Sequence, residues 1–185
     1  MDQFARTIIG YHGCRKDFAA DVLLGNLPID QWKLSQNDWD WLGHGIYFWE
    51  HSPQRALRWA RERYAEQADV IGAVVQLGRC FDLLDESITA LLFEHYQVLM
   101  SVFGDAGELL PVNTGRDWKR RNLDCFVIND ILEEMSQQGQ RYDTVRGAFL
   151  EGEPVYPGAG FSRETHIQLA IRSSACIVGV FRPNL

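Results

Sequence analysis

At 185 residues, 46% hydrophobic and 12% aromatic, the chain carries enough apolar material for one sizeable core and too little for two, so a single domain over 1–185 is expected. Eighteen Lys and Arg stand against 25 Asp and Glu, and the net charge of -7 excludes indiscriminate coating of polyanions while leaving room for a local basic patch. No apolar run approaches the roughly 18 to 20 residues that span a bilayer, so no membrane partner is expected.

The first residues, Met-Asp-Gln-Phe-Ala-Arg, have neither a basic start nor an apolar secretion segment, which implies a cytoplasmic address and reduced thiols. Cys14, Cys80, Cys125 and Cys176 lie far apart without a C-x-x-C pair, the pattern of small core residues rather than of a zinc or redox motif. No metal is expected.

Along the chain, Thr7–Tyr11 reads as a β-branched strand that delivers His12 and Gly13 to its end. A short helix follows, with Asp17 as its cap, Phe18, Val22 and Leu23 on one face, and a stop at Gly25-Asn26-Leu27-Pro28. The Trp-rich stretch from Trp32 to Trp41 has no period and reads as an ordered loop. It runs into Gly43-His44-Gly45-Ile46-Tyr47-Phe48-Trp49, two glycines and then an aromatic strand. Ser52-Pro53 opens a helix whose Ala56, Trp59, Ala60 and Tyr64 form an apolar stripe, with arginines on the other faces.

Val70–Leu77 is a strand candidate, and Asp85 caps a long helix through Phe103 with Ile88, Leu91, Leu92, Leu99 and Phe103 inside. Residues 105–122 read as a loop bearing the densest basic cluster, and 124–138 as a helix with Val127, Ile131, Leu132 and Met135 on one side. The tail reads as strands at 144–150, 163–172 and 176–181, with a Gly/Pro turn region at 152–160. Together these elements predict an α+β fold with helices inserted between strands.

Three segments combine polar groups with close-approach glycines: Tyr11-His12-Gly13, Gly43 to Phe48, and Glu164-Thr165-His166-Ile167-Gln168. In an extended strand, Glu164, His166 and Gln168 share one face. Taken alone that face reads equally well as solvated. The three segments in this order resemble the His-Tyr-Glu group of ADP-ribosyltransferases, which includes diphtheria-type toxins and the poly(ADP-ribose) polymerases. The resemblance covers about the first 80 and last 35 residues, and 85–140 has no counterpart in it.

The resemblance implies a split antiparallel β-sheet core with inserted helices, NAD as co-substrate, and transfer of ADP-ribose to a macromolecule with release of nicotinamide. It implies that His12 contacts the adenosine-side ribose, that Tyr11, Gly13, Gly45 and Gln168 help to hold NAD, that Tyr47 stacks on the nicotinamide ring, and that Glu164 is the catalytic carboxylate. Cleavage of the nicotinamide–ribose bond builds positive charge on the ribose, so a carboxylate near its hydroxyls is the group the chemistry asks for.

Gln168 competes with Glu164 for the third position, since the superfamily allows Gln there, and a Gln cannot act as a base. Glu164 is preferred because it follows the turn Tyr156-Pro157-Gly158-Ala159-Gly160-Phe161, which resembles a substrate-presenting loop of toxins in this class.

Arg116, Lys119, Arg120 and Arg121 with Trp118 suit contacts to phosphates and a stacked base, which makes RNA or another nucleic acid a candidate acceptor beside protein. A solvated loop, or a contact to an acidic partner, explains the same cluster. The size and class fit an intracellular bacterial toxin of a toxin–antitoxin or phage-defence system, with an antitoxin as a further partner; that is analogy. Other readings are an NAD glycohydrolase, a silent NAD-fold binding or immunity module, and a cysteine hydrolase on Cys14 with His12 or His44. A Rossmann domain is disfavoured because neither Gly43-x-Gly45 nor Gly158-x-Gly160 has the third glycine.

Overall fold

The computed structural model describes residues 6–185; the N-terminal residues 1–5, on which the cytoplasmic expectation rests, lie outside the described residues. The architecture is α+β, one seven-stranded mixed sheet with four α-helices. In chain order these are β1 Thr7–Arg15, α1 Lys16–Leu23, β2 Ile46–Glu50, α2 Pro53–Tyr64, β3 Ala68–Gln76, β4 Cys80–Asp82, α3 Glu86–Ala106, α4 Asn122–Gln137, β5 Thr144–Phe149, β6 His166–Ile171 and β7 Ile177–Phe181. The spatial order is β4-β5-β6-β2-β1-β3-β7, and only β4 and β5 run parallel. No helix among the described residues is long and apolar enough to cross a membrane.

Strand alternation sorts the core onto two faces. Phe48, Leu169, Ile71, Ala73 and Val75 point to the face that α1 and Trp32 cover. On the other face, Ala170 and Val145 pack under α4 residues Ile128, Ile131 and Leu132, while Val70 and Trp49 pack under Ala56 of α2.

The central seam positions the site. Strands β1 and β3 match over all nine residues from Thr7 to Arg15, but β1 and β2 match only at Gly10↔Glu50 and Tyr11↔Trp49. Past that point the ladder is replaced by a side-chain link: His12 Nδ1 lies 2.8 Å from the Tyr47 carbonyl oxygen. On the α2 side of the same strand, a Cβ on Gly13 would stand 2.5 Å from the Ala56 carbonyl oxygen. Glycine is therefore required there by strand–helix contact alone.

Several boundaries differ from the sequence reading. Strand β1 runs on through Arg15, so Arg15 is the N-cap of α1 and Asp17 sits in the first turn, its carboxylate 3.1 Å from Arg15 Nε. Strand β4 has three residues, too few to show alternation. Ser52 occupies the N-cap of α2 without a side-chain bond, whereas Asp85 caps α3 as expected, accepting from the Ser87 N–H at 2.9 Å. The long helix α3 is less buried than its stripe implies: only Leu99 is buried, and Phe93, Val98 and Val102 are more than half exposed. Strand β6 begins at His166, two residues later than Glu164, because Thr165 N–H and Oγ1 both turn back to the Ser162 carbonyl.

Candidate active site

An open cleft of about 480 Å³ lies where β1 and β2 part, within the size range of small-molecule sites. Its walls include His12 and Gly13 from β1, Gly45 and Tyr47 at β2, and Gln168 from β6. Arg55, Trp59 and Glu62 of α2 form one flank, and the Trp-rich loop with Lys119 forms the other. Five of the residues named from the sequence for holding NAD, and Lys119 of the basic cluster, thus share one cavity.

His12 is held between the rings of Phe18, Trp32 and Phe48, with centroids 5.4–5.7 Å away. Because a carbonyl oxygen only accepts, the Nδ1 contact to Tyr47 requires the proton on Nδ1 and leaves Nε2 as an acceptor. Burial lowers the His12 pKa, and the bond to Tyr47 partly offsets this, so the neutral tautomer is favoured.

Tyr47 is fixed by both functions of its hydroxyl, which donates to the Gly43 carbonyl at 2.7 Å and accepts from the Leu42 N–H at 2.8 Å. Burial raises its pKa well above the ordinary value. Its polar atom is spent within the protein, and what it offers the cleft is a rigid aromatic ring. Gly45 is tightly packed, since a Cβ there would stand 3.0 Å from Ala170.

Gln168 is 7% exposed and paired with Trp49 on β2 and Gly147 on β5. Its Nε2 lies 2.8 Å from His166 Nε2, while His166 Nδ1 lies 2.7 Å from the Glu164 carbonyl oxygen. The carbonyl forces the imidazole proton onto Nδ1, so Nε2 accepts from the Gln168 amide N–H. That locks the amide and leaves Oε1 as its second function.

Two of the residues named from the sequence lie outside this cleft. Glu164 does not line this cleft; its carboxylate pairs with Arg58 at 3.1 Å in a neighbouring pocket, because the turn at 162–165 carries it off the face shared by His166 and Gln168. Tyr11 also lies outside the cleft, packed edge-on against Phe181 with ring centroids 6.3 Å apart.

The basic cluster divides. Lys119 reaches the cleft, and its carbonyl accepts from Trp41 Nε1 at 3.0 Å. Arg120 lies over the Trp39 ring at 5.6 Å, Trp118 is 63% exposed, and Arg116 is exposed. Arg121 is drawn inward, over Trp41 at 4.4 Å and Phe149 at 4.9 Å, and bonds Asp124 at 3.1 Å. Its guanidinium is thus engaged within the protein.

The sequence reading missed Glu151 and Arg55. They form a 2.7 Å ion pair with both side chains 11% exposed, and Glu151 Oε2 lies 3.7 Å from His166 Nδ1. Asp40, a second buried carboxylate bordering the cleft, accepts from Ser35 Oγ and from Asn37, which orders the Trp-rich loop. Cys14 faces the α1 core, and burial with Asp69 nearby pushes its thiol up to about 12, which opposes thiolate formation near neutral pH. Among the described residues no cluster of three or more His, Cys, Asp or Glu could hold a metal ion.

The two histidines make the fold acid-sensitive. Burial lowers both pKa values below the ordinary 6.5, so below that pH the unfolded chain binds protons the folded chain refuses. Stability is full above pH 6.5 and falls as pH drops beneath it, by at most about 1.4 kcal/mol per pH unit per histidine. Urea midpoints at pH 7.5 and 5.5 should show the loss, and His166→Gln should reduce it; equal midpoints would contradict the burial argument.

No family model, no curated protein and no solved structure matches the chain.

Proposed function

We propose that the chain is an NAD-dependent mono-ADP-ribosyltransferase, transferring ADP-ribose to a macromolecular acceptor and releasing nicotinamide. The observation that carries this reading is the convergence of His12, Gly13, Gly45, Tyr47 and Gln168 on one cleft at the parting of β1 and β2. Those positions come from sequence segments up to 156 residues apart, and the neighbouring strands β6, β2 and β1 bring them together.

In this reading His12 Nε2 accepts from a ribose hydroxyl, the Tyr47 ring forms a platform, and the main chain of Gly13 is open to polar contact. Gln168 takes the third position. Its Oε1 accepts a ribose hydroxyl and directs a dipole at the carbon where positive charge develops. An amide cannot take the acceptor's proton, so a base must come from another group; Glu151, which borders the same cleft, is the carboxylate nearest the Gln168–His166 chain by connectivity.

A second reading, an NAD-binding module without turnover, draws on one observation: Asp40 and Glu151 are both engaged by intramolecular partners. Incubating the full chain with nicotinamide-labelled NAD separates the two. The proposal expects released nicotinamide that rises with enzyme and time; saturable NAD binding with no release favours the silent module, and no binding defeats both.

A further inference from the structure

A second pocket, of about 540 Å³, lies between α2 and residues 163–166. It borders the cleft and shares Arg55 and Glu62 with it. Four arginines line it, Arg55, Arg58, Arg61 and Arg163, against two glutamates, Glu62 and Glu164. In a chain of net charge -7 that is a local reversal of sign. Arg55, Arg58 and Arg61 follow at intervals of three along α2, which sets them on successive turns of one flank.

These cations are incompletely used. Buried Arg55 gives Nη2 to Glu151 but has Nε and Nη1 without a partner among the described residues. Arg58 is engaged only by an ion pair to Glu164 that is 36–45% exposed, a contact of small value. Arg61 and Arg163 are exposed and have no acidic partner among the described residues.

The loop that leads to Arg163 adds a second chemistry. It is tied off by the Pro154↔Ser162 bridge and by the Val155 N–H to Phe161 carbonyl bond at 2.9 Å, and it holds Tyr156 59% exposed and Phe161 72% exposed. Forked cations, with exposed aromatic rings on the loop that leads into one of them, are what a single strand of nucleic acid needs, with phosphates on guanidinium groups and bases on ring faces. An acidic peptide would use the arginines but gives the two rings no flat partner.

Resting on the transferase reading, we propose that the Arg58–Arg61–Arg163 pocket is the acceptor site and that it binds the phosphate backbone of a single-stranded nucleic acid, with Tyr156 and Phe161 stacking its bases. The Arg116–Arg120 rim lies on the other flank of the cleft and is a separate surface.

The test is fluorescence anisotropy of the full chain with a labelled 12-nucleotide single strand, in RNA and DNA versions, and with a labelled polyglutamate of equal charge. Binding of either strand is expected, falling with salt; Arg61→Glu with Arg163→Glu should weaken it at least tenfold and lower the salt slope by about 1.4, the value for two lost phosphate contacts on a single strand. A control of equal charge change, Lys16→Glu with Arg141→Glu on exposed positions that line neither pocket, should cost less than threefold. Tyr156→Ala with Phe161→Ala should weaken the nucleic acid and leave the peptide unaffected.

Tighter binding of polyglutamate than of either strand overturns the proposal, as does equal loss in the control and the pocket variant. Nicotinamide release is measured separately on the unmodified chain. Its absence defeats the transferase reading whatever the anisotropy shows, and failed oligonucleotide binding with intact release defeats the acceptor site alone.

Discussion

Gln168→Ala is expected to lower nicotinamide release by about 10²-fold or more, the usual cost of removing one preorganised polar group from a site of developing charge. Glu164→Ala should leave acceptor-free release within about threefold. The contrast follows from position. Gln168 is buried on the strand that borders β2, with its amide nitrogen committed to His166 Nε2 at 2.8 Å, so its oxygen is aimed before any substrate arrives. Glu164 is turned into a different pocket and spends its carboxylate on Arg58.

His166→Ala supplies an independent check. It removes the group that orients the amide without removing the amide, so it should reduce kcat while leaving Gln168 in place, and His166→Gln, which can still accept, should recover part of the loss. Full activity of Gln168→Ala together with inactivity of Glu164→Ala would reverse the assignment and restore a carboxylate at the third position.

The site was legible in the sequence to the extent that its residues lie on strands. His12-Gly13 and Gly45 to Trp49 were readable because glycine beside a polar or aromatic residue marks close backbone approach, and both pieces border the seam. Even so, the glycines answer first to packing: Ala56 excludes a side chain at 13 and Ala170 crowds one at 45, with or without a ligand. The shared strand face expected for Glu164 was not legible, because it needed an extended strand through residues 163–165, where the Ser162 carbonyl in fact closes a turn.

Arg55 and Glu151 had no local signal at all. Their pairing joins residues 96 apart, and each alone reads as an ordinary surface charge. The same limit hid Arg121, whose place over Trp41 and Phe149 depends on how three segments meet. The helices were easier, since Asp85 and Ser52-Pro53 mark their starts, although the stripe on α3 overstated its burial because α3 packs chiefly against α4.

Arg146→Ala is expected to cost about 3 to 5 kcal/mol, a large share of the 5 to 15 kcal/mol that holds a domain of ordinary stability. Arg146 stands on β5 and reaches across β6 to Glu50 on β2, with Nε and Nη2 at 2.7 and 2.9 Å from the two carboxylate oxygens; its Nη1 lies 3.3 Å from both oxygens of Asp82 on β4. The three side chains are 13%, 11% and 9% exposed. Its hydrogen bonds to Glu50 above all, and to Asp82, raise the Arg146 pKa and outweigh the cost of burial, so the cation persists at any working pH.

Removing the cation leaves two buried carboxylates, with only Asp82 keeping another cation, Arg6 at 2.8 Å. Glu50 must then either stay charged in a poor environment or take up a proton on folding. In the variant the folded chain would bind more protons than the unfolded one, so its stability should rise as pH falls from 7.5 to 5.5, against the acid loss the histidines impose on the parent. Arg146→Met combined with Glu50→Gln and Asp82→Asn removes the charges together and should recover much of the deficit, since a buried cluster replaced as a unit avoids the isolated charge. Urea midpoints of the three chains at both pH values decide it. A loss under about 1 kcal/mol for Arg146→Ala, or a variant that follows the parent's pH slope, would mean that packing of β5 and β6 and not this ion cluster ties the cleft half of the sheet together.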